Sequence, residues 1–584
     1  MDALNQNEKC LISTLSFLRE SSKEAVASAD FSDPYTLYMH VNRPVQDEFL
    51  SVLRNTYNSD HAELVLLCGS VGDGKSHMLS YCHEVYPDMM NSFSVHNDST
   101  ASLYVDKPAS YTLTEIMSPF SDDNIETSKQ KLILAINLGT LSNFLNSDKE
   151  NRFSLLKEYV WNAGILDENK GLLGKSKHFH SINFADYHLY EITANGAKSS
   201  YIKGILNKIT SADEHNVFYA NYMQCCKKCD AFSKCPIRAN YELLMDDKIQ
   251  DGLIDSLIES IVKNKLIVST RSLLNLVYEI LVDERSFNCG SLEPRKEPEK
   301  LSSKEYCEAL LPNMLFGRGD SSDILRALGT VDPMRIRNEK VDDFFISFEN
   351  TDNIIEVFNN YAGEYQSLLN RIDSIDMADP DTHQLRESIL RLLIRLCRLS
   401  GEQKHLLSDD EEYITYMKSL YSWNTGHHKD IKSLYTDVGR SVLLWNGKAN
   451  KNEMQLDLVK KKTEYRLVQE IDIKPTYENV KCINDEVLYS FRDELRLKYK
   501  YGNGLTADLD VDFALFELLK KVLNGYVPSI NDKRVNIKCE EFIKKISRGG
   551  SKQNKVYIRD LAYKEPCQFI LEFDEDFGYS FGVD

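Results

Sequence analysis

Gly69, Ser70, Val71, Gly72, Asp73, Gly74, Lys75 and Ser76 run consecutively, placing three glycines, a lysine and a hydroxyl in the spacing of a phosphate-binding P-loop. Such chemistry needs these residue types because the backbone N–H groups of a glycine-rich turn, feeding a helix N-terminus, hold phosphate oxygens without requiring a full positive charge. Lys75 is expected to reach the β- and γ-phosphates and the Ser76 hydroxyl to ligate Mg2+. With His77, which follows directly, these residues form the expected nucleotide-binding set, and ATP with Mg2+ is the expected ligand. Binding alone does not establish hydrolysis.

Hydrolysis calls for an acidic residue at the end of a neighbouring strand, to hold the metal's water shell and align the attacking water. The apolar run LILAI ends in Asn137, which is not a carboxylate. Two other acids follow strand-like segments: Asp98, after FSV in HNDST, and Asp186, after INFA in INFADYH. Both are carried as catalytic candidates beside Lys75, each with an alternative as a plain strand-end or capping residue. The segment Ser269, Thr270, Arg271, Ser272, Leu273, Leu274, Asn275 has the form of a second-sensor helix in AAA-type ATPases. By that resemblance Arg271 would reach the γ-phosphate from a small helical lid. Arg318, Arg335 and Arg337 are candidates to act on a neighbouring subunit's nucleotide, and spacing selects none of them.

A second constellation reads CCKKCDAFSKC from Cys225 to Cys235, followed by Pro236. Cys226 and Cys229 have a chelating two-residue gap, and Cys235 is a natural third ligand. The fourth is Cys225, His215 or a residue distant in sequence. Zn2+ fits this pattern before an iron–sulfur cluster, as a structural staple in an insertion of the nucleotide domain. Reduced core cysteines, or thiol redox chemistry beside lysines, are the other readings.

These residues need elements to position them. Leu64 to Cys68 is continuously apolar, as in a strand buried on both faces of a parallel sheet. Phe93 to Val95, Leu132 to Ile136 and Ile182 to Phe184 are further strands, spaced for crossover helices, so the fold class is an α/β, AAA-like P-loop domain. Leu253 to Asn264 and Thr270 to Val282 are expected helices, the second capped by Ser269 or Thr270. The organisation follows as a helical lead-in over 1–50 with apolar spacing at Leu11, Leu15 and Leu18, the P-loop domain over 51–285, and a linker over 286–304. A helical domain over 305–450 and a mixed α+β domain over 451–584 complete it. Arg386 to Leu399 is an amphipathic helix with arginines expected on its outer face. Tyr465 to Ile473 is expected as a strand, Phe513 to Leu523 as a helix, and EFDEDFGYSFGVD as a solvated end.

The formal net charge of −19 makes the surface as a whole repel nucleic acid, so DNA contact needs a local basic patch or a partner. Residues 533–559 form one such stretch, with Lys533, Arg534, Lys538, Lys544, Lys545, Arg548, Lys552, Lys555 and Arg559, though Glu540 and Glu541 among them also suit a solvated helix face. Thirteen cysteines without a secretion signal at MDALNQNEKC point to reduced thiols and a cytoplasmic location. No apolar run approaches the roughly 18 residues that span a bilayer.

LLCGSVGDGKSHMLSY, FSVHNDST, LAINLGTLSNF, INFADYH, the cysteine cluster and STRSLLNLVYEIL together resemble, in order and character, the DptF family of DNA phosphorothioation-dependent restriction proteins. The likeness extends more loosely through LLPNMLFGRGDSSDILRALGTVDPMRIR and covers most of residues 30–345. It implies an ATP-binding component of a bacterial defence system that attacks DNA lacking a sulfur mark, with DptG and DptH as partner subunits and DNA as the ultimate substrate. No nuclease constellation is recognisable in the chain. A nucleotide-dependent scaffold that does not hydrolyse, or a P-loop defence ATPase of another system, is the alternative.

Overall fold

In the computed structural model the described residues are 10–19, 34–70, 72–97, 109–148, 150–166, 176–285, 301–335, 339–370, 380–401, 407, 410–456, 465–477, 482, 485–502, 504–549, 555–560, 567–574 and 576–583. Packing divides the chain into two compact units. The first comprises Met1–Glu191, Lys198–Ile261 and Lys265–Ser408, and the second Ile192–Ala197, Val262–Asn264 and Asp409–Asp584.

The first unit is organised by a four-stranded parallel sheet of β1 (Glu63–Cys68), β2 (Ser94–His96), β3 (Lys131–Ile136) and β4 (Phe179–Asn183), in the order β2-β3-β1-β4. Every residue of β1 is buried, because side chains alternate between two covered faces. Val65 and Leu67 join Ile133, Ala135 and Ile182 under α1 (Pro44–Thr56) and α2 (Lys75–Val85), through Phe49, Leu53, Met78 and Cys82. Leu64, Leu66 and Cys68 join Leu132, Leu134 and Ile136 on the opposite face. There α3 (Ala109–Met117), α4 (Leu138–Ser147) and α5 (Ser154–Asn162) supply Leu113, Met117, Leu141, Phe144 and Leu156. The four expected strands are therefore present and form one α/β layer, with ends shifted by up to three residues.

Helices make up most of the rest of this unit, among them α6 (Ser200–Thr210), α7 (Val217–Cys225), α8 (Pro236–Leu244), α9 (Asp247–Asn264), α10 (Thr270–Leu281), α11 (Leu311–Gly317) and α12 (Pro380–Ser400). The expected linker lies outside the described residues up to 300, and its last two residues begin the helix Ser303–Glu308. On either side of it the chain is packed as one body. Asn240 of α8 donates to the carbonyls of Leu281 (3.2 Å) and Ala309 (2.8 Å) and accepts from the Leu311 N–H (2.6 Å).

Two of the four arginines of α12 correct an expectation, while Arg391 and Arg398 keep partly exposed side chains. Arg386 and Arg395 are only 4% and 7% exposed. Arg386 donates to the carbonyls of Phe348, Glu349 and Thr351 at 2.8–3.0 Å, satisfying the end of the helix Glu339–Glu349. Arg395 pairs with buried Asp332 at 2.6 Å and donates to Asn313 at 2.9 Å. Periodicity counted them as outward polar residues, whereas helix-end carbonyls and a carboxylate draw them inward.

The second unit holds helices, including Glu411–Asn424, Lys432–Leu444, Phe513–Leu523 and Ile537–Gly549, with two antiparallel sheets. Among the described residues one sheet orders Gly578–Val583, Cys567–Asp574, Lys555–Asp560, Tyr465–Glu470 and Glu453–Gln455, and the other Leu505–Val511, Leu495–Tyr501 and Ile473–Pro475. The strand expected from Tyr465 to Ile473 is thus broken, its two ends serving different sheets. The acidic tail is exposed, as a solvated end should be, and is also paired as a β-hairpin, Phe569, Leu571 and Phe573 standing opposite Val583, Phe581 and Tyr579. In the basic stretch, Lys538, Lys544, Lys545 and Arg548 are exposed on one helix, whereas Arg559 is held by both oxygens of Glu453 at 2.7 and 2.9 Å. No helix among the described residues is long and apolar enough to cross a membrane.

Arg395→Ala should destabilise the first unit by about 3 kcal/mol, since it strands Asp332 as a buried charge. A thermal melt within a degree of wild type would show that the pair is not buried in solution.

Candidate functional site

The chain leaves β1 at Gly69 and enters α2 at Lys75, so the glycine loop sits at the carboxyl end of the sheet's most buried strand. Connections from β1 and β3 run to opposite sides of the sheet, and the crevice between their carboxyl ends is where open α/β sheets bind ligands. Gly72 and Gly74 hold φ of 89° and 92°, a left-handed region that a side chain would strain. Two such turns in three residues fold the loop back so that α2 starts beneath it.

Inside the loop Lys75 Nζ donates to the Ser70 carbonyl at 2.6 Å, and the Ser70 N–H donates to the Asp73 carboxylate. Burial raises the Asp73 pKa and lowers that of Lys75, while each charge partly offsets the shift of the other. The Ser76 hydroxyl donates to Asn97 Oδ1 at 3.0 Å, at the carboxyl end of β2. Val71 and Asp98 lie outside the described residues.

Arg43, which the sequence marked only as the end of a lead-in segment, clamps the loop from behind. Its guanidinium donates to the carbonyls of Asp73 (2.9 Å) and Tyr187 (3.1 Å) and lies 5.1 Å from the centre of the Tyr201 ring. Because both acceptors are backbone atoms, no residue pairing in the sequence advertises the contact. His77 likewise has a partner from the lead-in: its Nε2 is 3.1 Å from His40 Nδ1, and the His40 ring stacks on Tyr81 with centroids 3.5 Å apart.

Asp186 ends the turn Phe184–Asp186 after β4, where Asn183 Nδ2 approaches it at 3.5 Å. It stands near enough to Cys68 to disfavour that thiol's ionisation. Asn137 caps α4 by accepting from the Thr140 N–H at 2.7 Å. Ser269 caps α10 in a reciprocal box with Ser272, as its place before the apolar run predicted. The start of α10 leans on the glycine loop: a Cβ placed on Gly72 would come within 3.2 Å of Ser269, and one on Gly74 within 3.8 Å of Thr270 Oγ1. Arg271, one residue on, is half-buried and has no hydrogen-bond or ion-pair partner among the described residues. Of the other arginines, Arg318 is bound to Asp283 at 2.6 Å, Arg335 is exposed, and Arg337 lies outside the described residues.

The cysteine cluster lies elsewhere in the first unit, between α7 and α8. Cys225 ends α7, Cys226 opens a 3-10 turn, Cys229 is exposed, and Cys235 takes the N-cap position of α8. His215 is exposed before α7, its N–H bonded to Asp213. Among the described residues no group of three or more His, Cys, Asp or Glu stands ready-made for a metal ion. No protein-family model and no curated protein sequence matches the chain.

Burial first, then the charges of His77 and Lys208, lower the His40 pKa from 6.5 to about 4, with a Gln46 contact opposing. The folded state therefore keeps His40 neutral where the unfolded chain protonates it. Its stabilising contribution is complete above pH 6.5 and is lost as pH falls toward 4. His40→Phe, which retains a ring against Tyr81, should flatten the fall in melting temperature across that window. A melting profile parallel to wild type would remove His40 from the acid response.

Proposed function

We propose that this chain binds ATP with Mg2+ at the 69–77 loop and hydrolyses it as the nucleotide switch of a bacterial phosphorothioation-dependent DNA restriction complex. The observation that carries the nucleotide reading is the loop itself, twice left-handed, delivered by a fully buried parallel strand and feeding directly into α2. The restriction complex, with DptG and DptH as partners and DNA as its target, rests on the sequence likeness to the DptF family.

Three adjustments accompany ATP on this reading. Lys75 leaves the Ser70 carbonyl for the phosphates, Ser76 turns from Asn97 toward the metal, and Arg271 closes on the γ-phosphate as α10 shifts against the loop. The magnesium ion supplies neutralisation of the phosphate charge. Since Ser76 meets Asn97 at the end of β2, the acid favoured for aligning water is its sequence neighbour Asp98, ahead of Asp186 on the other side of β1. A half-buried arginine with no hydrogen-bond or ion-pair partner among the described residues, in the first turn of the helix that leans on the glycine loop, suits a group that waits for an anion.

The non-hydrolysing scaffold keeps one specific support, the closed loop in which Lys75 and Asp73 engage Ser70. Phosphate release from Mg-ATP, alone and with DptG, DptH and unmodified DNA, separates the readings. Wild type should turn over, and Lys75→Ala should lose at least 100-fold in rate while keeping its fold; Asp98→Asn should lose more rate than Asp186→Asn. Retained restriction by Lys75→Ala would sink the switch, and silence of wild type under every condition, with ATP bound, would leave the scaffold.

Asp73 gives a further handle. Its carboxylate stands in the loop that would receive phosphates, so Asp73→Asn should tighten ATP binding several-fold by removing a like charge while keeping an acceptor for Ser70. Weaker binding in that variant, measured by calorimetry, would show that the carboxylate organises the loop instead of opposing its ligand.

A further inference from the structure

The fold brings a fifth cysteine to the CCKKCDAFSKC segment. Cys10 immediately precedes the short helix Leu11–Leu15, whose Leu11 and Leu15 are fully buried and which packs on both α7 and α8. The two 3-10 turns that carry the cluster, Cys226–Lys228 and Phe232–Lys234, pack against each other and turn the chain back toward that helix. The neighbouring thiols that act on Cys226 are, from strongest to weakest, Cys235, Cys10, Cys229 and Cys225, and Cys235 feels Cys10 ahead of Cys229. Cys10, some 215 positions away in sequence, is thus among the thiols that bear on Cys226, in keeping with the packing of its helix on α7 and α8.

We propose that Cys10, Cys226, Cys229 and Cys235 are the four ligands of one structural Zn2+ ion, with Cys225 outside the coordination shell. The local backbone suits thiolates. The Cys229 N–H donates to the Cys226 carbonyl at 3.1 Å, closing the CxxC turn, and the N–H groups of Ile237 and Arg238, in the first turn of the nine-residue α8, face the Cys235 sulfur. Lys227, Lys228 and Lys234 lie between the cysteines in sequence and make the segment basic.

Without a cation the thiols hold their protons: burial, reinforced by the neighbouring sulfurs, pushes Cys226 up to about 12 and Cys235 up to about 11. Zinc replaces four S–H protons, which pass to solvent, with four Zn–S bonds. Among the described residues no three such groups stand ready-made for one ion, so zinc would have to draw the sulfurs together, and Cys10 and Cys229 are exposed where such a movement meets little packing.

The ion then serves as more than a clip within an insertion. It fastens the segment 10–19 to α7 and α8, and that segment ends at Arg19, which pairs with Glu284 at 3.0 Å and lies 5.3 Å from the centre of the Tyr278 ring of α10. The far end of the helix that carries Arg271 is thereby tied to the metal through one short stretch of chain.

The test is metal content of the full chain purified under reducing conditions, read by mass spectrometry, together with cobalt substitution after chelation. Wild type should carry about one zinc per chain and give the absorption of a tetrahedral four-thiolate cobalt site. Cys10→Ser should lower zinc affinity at least ten-fold and weaken the sulfur-to-cobalt band to a three-thiolate level, while its circular dichroism matches wild type; Cys225→Ser should change neither. The proposal is overturned by wild type that holds no zinc and takes up no cobalt, by an iron–sulfur chromophore, or by Cys225→Ser losing the ion while Cys10→Ser keeps it. These readouts need no nucleotide, so they stand or fall independently of the ATP reading.

Discussion

Everything at the candidate site hangs from the burial of β1. A strand with no exposed residue has both faces committed, Val65 and Leu67 to one helical layer and Leu64, Leu66 and Cys68 to the other, so it can neither slip nor rotate without emptying two cores. Its carboxyl end is therefore a fixed origin. The loop that begins there inherits that fixity, and Arg43 extends it by holding the Asp73 carbonyl from behind. What is left adjustable is the interior of the loop, where Lys75 and Asp73 meet Ser70 through contacts that a phosphate could replace.

The parts of this arrangement that were legible in the sequence are those fixed by neighbours in the chain. LVLLC announces a doubly covered strand, GSVGDGKS its turn, and Ser269 the start of α10, because each signal is complete within a few residues. What could not be read depends on distant partners. Arg43 acts through backbone carbonyls that any sequence would supply. Arg386 and Arg395 look like an outer face until the helix end at Glu349 and the carboxylate of Asp332 arrive beside them. The C-terminal acids mask a hairpin: Leu571 and Phe573 alternate with Glu572 and Asp574 on one strand, and Tyr579, Phe581 and Val583 alternate with small residues on the other, a period of two that the local charge density obscured. Cys10 belongs to the same class: as a lone cysteine in a lead-in segment it carries no signal, and only the packing of the Leu11–Leu15 helix on α7 and α8 brings it to that part of the fold.

Asn137 shows how strand order changes what a missing acid implies. The absence of an acid after β3 is real, and the side chain there is spent on capping α4. The order β2-β3-β1-β4 puts β3 directly against β1, however, while β2 stands one strand further out and still reaches Ser76 through Asn97. On the proposed reading, an acid that works through water would not need to sit on the adjacent strand; it would need a strand whose end comes round to the Ser76 hydroxyl. Strand order is a tertiary property, and reading along the chain could not supply it.

The helix α10 links these observations. Its first turn leans on the two left-handed glycines, and its last turn is held by Arg19 over Tyr278, with Asp283 just beyond bonded to Arg318. A helix gripped at both ends transmits a displacement at one end to the other, because its backbone hydrogen bonds resist bending over a length of twelve residues. A change at the glycine loop therefore has a direct mechanical route to the 10–19 segment on one side and to the Asp283–Arg318 pair on the other. On the proposed reading, a ligand at the loop would act on the helix as a whole, and the groups that define its far end would set how large a shift it allows.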